Sequence, residues 1–172
     1  MKKLTSLSLA LIILSILSFA CSNSNEEHLV KNKELVKKFT ALLNNKQFDS
    51  FSSIVKADFK RHSQATAEMP ELNSLDEFIQ LQKGFLSSFS DQKVTIKKLI
   101  AENDYVAAYA TYSGTNDGPM PPFPATNKYF ELNFTGIFRI EEGKIAEMWV
   151  EWDNLAFLKK LGLFPPPGEG VN

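Results

Sequence analysis

The stretch E-M-W-V-E-W-D, Glu147 to Asp153, carries three carboxylates and two tryptophans in seven residues. Carboxylates held close together are common equipment for general acid–base work, because apolar surroundings can move their pKa values towards neutrality. Their role depends on the element that holds them. In a strand, alternate side chains share a face. Glu147, Trp149, Glu151 and Asp153 then fall on one parity, and Met148, Val150 and Trp152 on the other. The second set is apolar and suits the wall of a pocket, so the carboxylates are expected to face outward. A bulge near Val150 would reverse the later residues and bring Asp153 inward. Asp153 is therefore one candidate acid–base group, beside its plainer role as N-cap of a helix starting near Leu155.

The chain has two histidines, His28 near its start and His62 in the run D-F-K-R-H-S. His62 is the second candidate acid or base, since imidazole titrates near neutral pH. A backbone-bonded or exposed imidazole is the structural alternative. Arg61 reads as a solvated charge beside it. Tyr105, Tyr109 and Tyr112 could offer hydroxyls to a ligand or an enolate, and Tyr112 is the candidate ligand contact among them. Ala107, Ala108 and Ala110 leave both parities of that stretch comparably apolar, so its inward face stays open. The sequence shows no Cys/His metal cluster, no H-E-x-x-H, no phosphate-cradling glycine loop and no nucleophile triad. No cofactor and no metal are expected.

These residues need a scaffold, and the chain is long enough for one domain of roughly 150 residues behind a leader. Lys2 and Lys3 precede the apolar run L-S-L-A-L-I-I-L-S-I-L-S-F-A, which ends at Ala20. This reads as a signal peptide, residues 1–20. Cys21 follows at once and is the only cysteine, so it has no partner for an intramolecular disulfide. Its position resembles the acylated cysteine of bacterial lipoproteins, with Ala20 as the preceding small residue. Ser18-Phe19-Ala20 also fits an ordinary signal peptidase, and both readings start the mature chain at Cys21. The lipoprotein reading makes the protein exported and lipid-anchored to a bacterial membrane, with residues 21–27 as a polar tether. The formal net charge is −1, with no basic cluster, and losing Lys2 and Lys3 makes it more negative. Nucleic acid is thus not an expected partner.

Helical spacing runs from near Glu26 through Leu29, Leu35, Val36, Phe39, Leu42 and Leu43, and stops at Asn44-Asn45. A shorter piece spans Phe48 to Val55, D-F-K-R-H-S is extended, and Ser74 with Glu77 forms a capping box for a third helix. From Lys93 the period becomes two, giving strands over 94–101, 105–113, 129–140 and 145–152. The segment L-A-F-L-K-K-L-G is a short helix stopped by Gly162, and 165–172 is a loose tail. Helices first and strands afterwards imply an α+β domain, with helices on one face of a curved antiparallel sheet. A hollow between them is a natural small-molecule site, and 14 phenylalanines would serve either its walls or the core.

The ordered runs V-A-A-Y-A-T-Y-S-G-T-N-D-G, P-A-T-N-K, F-R-I-E-E-G-K-I-A-E-M-W-V-E-W-D and L-K-K-L-G resemble the SnoaL-like polyketide cyclases, or ester cyclases, from about Val30 to Gly162. The resemblance implies the nuclear-transport-factor-2-like cone over 28–164, with three N-terminal helices and dimerisation through the sheet. It also implies an intramolecular aldol reaction begun by an aspartate. That aspartate's position is held here by Val150, a histidine of the preceding strand by Gly136, and a loop histidine by Asn116. Carried over this way, Asn116 joins Tyr112, Phe134, Phe138, Met148, Val150 and Trp152 as expected contacts of a small apolar or aromatic ligand. His62 and Asp153 remain the acid–base candidates of the enzymatic alternative.

Overall fold

The computed structural model describes residues 26–65 and 71–164. The leader, Cys21, the start of the tether, the loop at Met69-Pro70 and the tail lie outside the described residues. No helix among the described residues is long and apolar enough to cross a membrane.

Residues 26–44 form the first helix, α1, which buries Val36, Phe39 and Leu42 along one stripe. Its end is clamped to the sheet. The Asn44 amide donates to the Val94 carbonyl and accepts from the Val94 amide, both at 2.8 Å, as a neighbouring strand would. The expected second helix is a 3-10 turn, Phe48–Ser53, leading into strand β1, Val55–His62. Helix α2, Leu75–Ser88, opens on the Ser74 hydroxyl, which accepts from the Glu77 amide, while Glu77 accepts from the Asn73 amide.

Four longer strands follow or flank these: β3 (Lys93–Glu102), β4 (Tyr105–Thr115), β5 (Tyr129–Glu141) and β6 (Lys144–Trp152). With the two-residue β2, Glu71–Leu72, the sheet order is β2-β1-β6-β5-β4-β3. One pairing departs from the expected antiparallel sheet, since β1 runs parallel to β6. A helix and a 3-10 turn deliver the chain into β1, so no hairpin fixes its direction. Between β5 and β6, Glu142 and Gly143 both have positive φ, 53° and 74°, as a two-residue type I′ turn requires. Helix α3, Asn154–Leu161, is capped by Asp153 and ends at left-handed Gly162. There Leu163 N–H bonds Leu158 O and Gly162 N–H bonds Lys159 O, satisfying the last carbonyls.

Register fixes the inward face. Val106 pairs with Phe138 and Phe138 with Met148; Ala108 pairs with Gly136 and Gly136 with Val150. Val106, Ala108 and Ala110 are buried while Tyr105 and Tyr109 are exposed, which decides the face that the alanines of β4 left open. An irregularity does occur in β6, but earlier than Val150. Arg139 pairs with Glu147 and Ile140 with Ile145, so Ala146 is the extra residue and both Ile145 and Met148 point inward.

Candidate functional site

A cavity of about 110 Å³ lies between the helices and the inward face of the sheet. Phe39 and Leu43 of α1, and Phe78, Gln82 and Phe85 of α2, form one side. The sheet contributes Tyr112, Leu132, Phe134, Met148, Val150 and Trp152, and α3 contributes Phe157. Two aromatic clusters bound the space. One packs Phe39, Phe51, Phe59, Phe78 and Phe138; the other packs Phe89, Phe130 and Phe157. Phe85, Phe134 and Trp152 touch both clusters. Edge-on contacts, Phe39 on Phe138 at 5.5 Å and Phe130 on Phe157 at 5.0 Å, hold the rings in fixed orientations. Much of the phenylalanine content is therefore core, and the cavity is the gap where the two clusters meet.

Four polar side chains break this apolar wall: Arg61, Gln82, Gln92 and Tyr112. Arg61 shares the inward parity of fully buried Phe59 and is itself only 3% exposed. Burial lowers its pKa to about 10, opposed by the charge of Glu151, so it is a cation at neutral pH. Tyr112 O–H donates to Gln92 Oε1 at 2.7 Å. Burial, with a contribution from Asp91, raises the phenol above its ordinary value, so it stays neutral. No Asp, Glu or His belongs to the described lining, and no group of three metal-ligating side chains occurs among the described residues.

Tyr112, Phe134, Met148, Val150 and Trp152 thus meet around one space, while the other candidates do not. Phe138 sits deeper, its ring 5.5 Å from that of Phe39 within the first cluster. Asn116 is fully buried but its amide is spent on the β4–β5 loop. It donates to Ser88 O and Gly118 O at 3.2 and 2.8 Å and accepts from Thr126 N–H at 2.9 Å. Gly118 fits beneath only as glycine, since a Cβ there would lie 1.9 Å from Ser87 O. Asp153 stays outside, its carboxylate accepting from Ala156 N–H at 2.8 Å as the α3 cap.

His62 is corrected by parity. Arg61 lines the cavity, so its neighbour His62 projects from the opposite face of the sheet. There its ring stacks on Trp149 at 5.3 Å, with Nε2 2.8 Å from Glu147 Oε1. Arg139 Nε donates to the other oxygen of Glu147 at 2.9 Å. Burial pushes Glu147 upward, but the bonds from Arg139 and His62 outweigh it and hold the carboxyl below its ordinary range. Glu151 accepts from the amides of Gln64 and Ala65. The carboxylates of E-M-W-V-E-W-D therefore serve the outer face and the α3 cap. Arg61, which the sequence suggested was a solvated charge, is instead buried on the cavity wall. Its signal was available, because Phe59 and Arg61 alternate and the phenylalanine had to point inward.

Residues 33–161 match the family model described as SnoaL-like polyketide cyclase. No curated protein matches the chain. Among solved structures, a SnoaL-like polyketide cyclase assigned in Jannaschia sp. CCS1 is 18% identical with a TM-score of 0.71, covering 79% of this chain and 94% of its own. A protein of Streptomyces galilaeus assigned as a hydroxylase is 23% identical with a TM-score of 0.69, covering 80% and 99%. An epoxide hydrolase of M. tuberculosis is 15% identical with a TM-score of 0.62, covering 78% and 91%. At these identities the likeness carries the fold, and three differently described proteins on one fold leave chemistry to the site.

Proposed function

Because the chain belongs to the SnoaL-like polyketide cyclase family, we propose that it binds a small apolar or aromatic molecule in the cavity between helices and sheet, without the family's carboxylate base. One observation carries this reading: Val150, at the position where the resemblance implies an aspartate, is a cavity wall residue, and no other carboxylate or imidazole joins it in the described lining. Proton abstraction next to a carbonyl needs such a base within hydrogen-bond reach of the substrate. Native mass spectrometry of the gently purified protein tests the binding. A small molecule that stays bound in the gas phase and leaves on denaturation is expected. A ligand-free protein that no small apolar compound stabilises against heat would sink the reading.

Export and lipid anchoring through Cys21 belong to the same proposal. They are supported by the apolar run before the cysteine and by the absence of any other cysteine to pair with it. A diacylglyceryl group with a second, amide-linked chain suffices for stable attachment. Cys21→Ser should release the protein into the soluble fraction, and a membrane-bound variant would refute the anchor. A second copy is the proposed partner of the outer sheet face. Exposed Ile100, Tyr105, Tyr109 and Ile137 lie on that face beside both signs of charge, Arg139 and Lys98 with Glu147 and Glu151. A two-fold axis can bring such a face onto itself. Sedimentation of Ile137→Glu as a monomer, against a wild-type dimer, is the expected result.

A further inference from the structure

The two helices that cover the cavity are tied down at their C-terminal ends. Asn44, at the end of α1, exchanges two hydrogen bonds of 2.8 Å with the backbone of Val94, itself a wall residue. Ser88, the last residue of α2, donates from its hydroxyl to Pro119 O at 2.8 Å, and its carbonyl accepts from the Asn116 amide at 3.2 Å. Neither helix can lift from the sheet without breaking bonds between buried or half-buried groups, which leaves their partners unsatisfied. The rings beneath them are held as well. Phe39 and Phe78, one on each helix, lie 5.6 Å apart, and Phe157 of α3 lies 5.9 Å from Phe89. In an interior packed this closely, a ring moves only by displacing its neighbours. Side chains therefore set the bore of the cavity, and the wall residues Phe85, Phe134 and Trp152 stand where the two aromatic clusters meet.

We infer that the cavity accepts a compound with one six-membered carbon ring and rejects fused ring systems, and that Phe85, Phe134 and Trp152 set this limit. This rests on the cavity being a ligand site, as proposed above. A dry cavity of about 150 Å³ takes up benzene, so one of about 110 Å³ has no room for a second ring. A ring also suits the walls. Phenylalanine edges and faces, and the thioether of Met148, make oriented contacts with another ring that an aliphatic chain does not offer. A second fused ring would push Phe85, Phe134 or Trp152 into the clusters they touch, and overpacking of that kind displaces side chains and backbone. Apolar area and room then oppose each other. The larger ring system has more surface to bury and binds more tightly wherever it fits. A preference for the smaller one is therefore the mark of the walls, a discrimination made by clash.

The test compares benzene with naphthalene by calorimetry and ligand-detected NMR on the mature full-length protein in mild detergent, with partition into protein-free micelles subtracted. Benzene is expected to bind at least tenfold more tightly than naphthalene. Phe85→Ala, which opens the junction between the clusters, should reverse that order, and Phe134→Ala serves the same purpose if Phe85→Ala does not fold. Val150→Phe, which fills the space, should abolish binding of both. Naphthalene binding to the wild-type protein as tightly as benzene, with both lost in Val150→Phe, would overturn the size limit while leaving the cavity as a ligand site. An order unchanged in both alanine variants would take the limit away from these rings and overturn their assignment. Binding that survives Val150→Phe unchanged would place it elsewhere and overturn the inference too. If neither compound binds, the underlying cavity reading fails and the inference falls with it. The wild-type order decides the matter even if no variant folds.

Discussion

Val150→Asp restores the carboxylate that the family resemblance implies, and its energetics follow from the position. Val150 is 6% exposed, faces inward opposite Gly136 and stands one same-face step from Met148, the register partner of Arg61. Losing the buried isopropyl group costs about 2 kcal/mol even when the new carboxyl is protonated. Ionising it costs more. Desolvation in such a wall raises a carboxyl pKa by about 3 to 5. Arg61 opposes this: a unit charge about 8 Å away, one two-residue step along the strand and one strand across, contributes about 2 kcal/mol at an effective dielectric of about 20. That offsets roughly 1.5 to 2 of the rise. The folded-state pKa then stands about 1 to 3 above the unfolded value of about 3.9. A folded pKa raised in this sense means that the unfolded chain ionises first. Stability relative to wild type therefore falls as pH climbs from about 4 to the folded pKa and is flat beyond it. Urea unfolding of both proteins should show a penalty of about 3 kcal/mol at pH 4.5 that grows by about 0.6 to 3 kcal/mol at pH 8. A small penalty of equal size at both pH values would mean that residue 150 faces water, and the parity argument would be wrong. Should the variant alone exchange the α-protons of a small cyclic ketone in deuterated buffer, the cavity would retain the shape of a proton-transfer site that lacks only its base.

The remaining candidates give three shorter expectations. Asn116→Ala removes three hydrogen bonds that the fully buried side chain makes to backbone groups and should cost about 3 kcal/mol, a fall of about 10 °C in thermal midpoint by calorimetry. Asp153→Ala removes the α3 cap and should cost about 1 kcal/mol in urea unfolding, with unchanged affinity for any cavity ligand. His62→Ala loses the Glu147 bond and the Trp149 stack but should leave ligand affinity within twofold by calorimetry, and a larger loss would return the imidazole to the binding site.

What the sequence made legible follows the strength of its periodic signals. Along β5, every second residue from Phe130 to Ile140 is apolar apart from Gly136, and the structure buries that face. β6 gave Met148, Val150 and Trp152 for the same reason. β4 did not, because Val106, Ala107, Ala108 and Ala110 carry too little contrast between faces, and the exposed Tyr105 and Tyr109 settle it only in three dimensions. The extra residue Ala146 was invisible, since Ile145 and Met148 are apolar in either register. Asn116 looked like a site residue by resemblance, yet its hydrogen bonds run to Ser88, Gly118 and Thr126, partners that only the folded loop brings near. The deepest error concerned K-R-H at the end of β1. Two adjacent polar side chains on a strand must face opposite sides, and chemical familiarity favoured the histidine. Phe59 two residues earlier was the better guide, because an apolar neighbour of matching parity assigns the inward place to Arg61.

That exchange alters the electrostatics of the site rather than its shape. In an apolar cavity a carboxylate base attracts protons, repels anionic ligands and is neutral only when it has taken a proton. A guanidinium with a pKa of about 10 stays protonated near neutrality and is no base there. With Val150 at the implied base position and Arg61 on the same wall, no described wall group is a carboxylate or imidazole to take a proton from a bound compound. The proposed binding without a carboxylate base therefore predicts no proton exchange by the wild-type protein. Arg61→Met should leave that exchange absent, whereas Val150→Asp is the change that can create it.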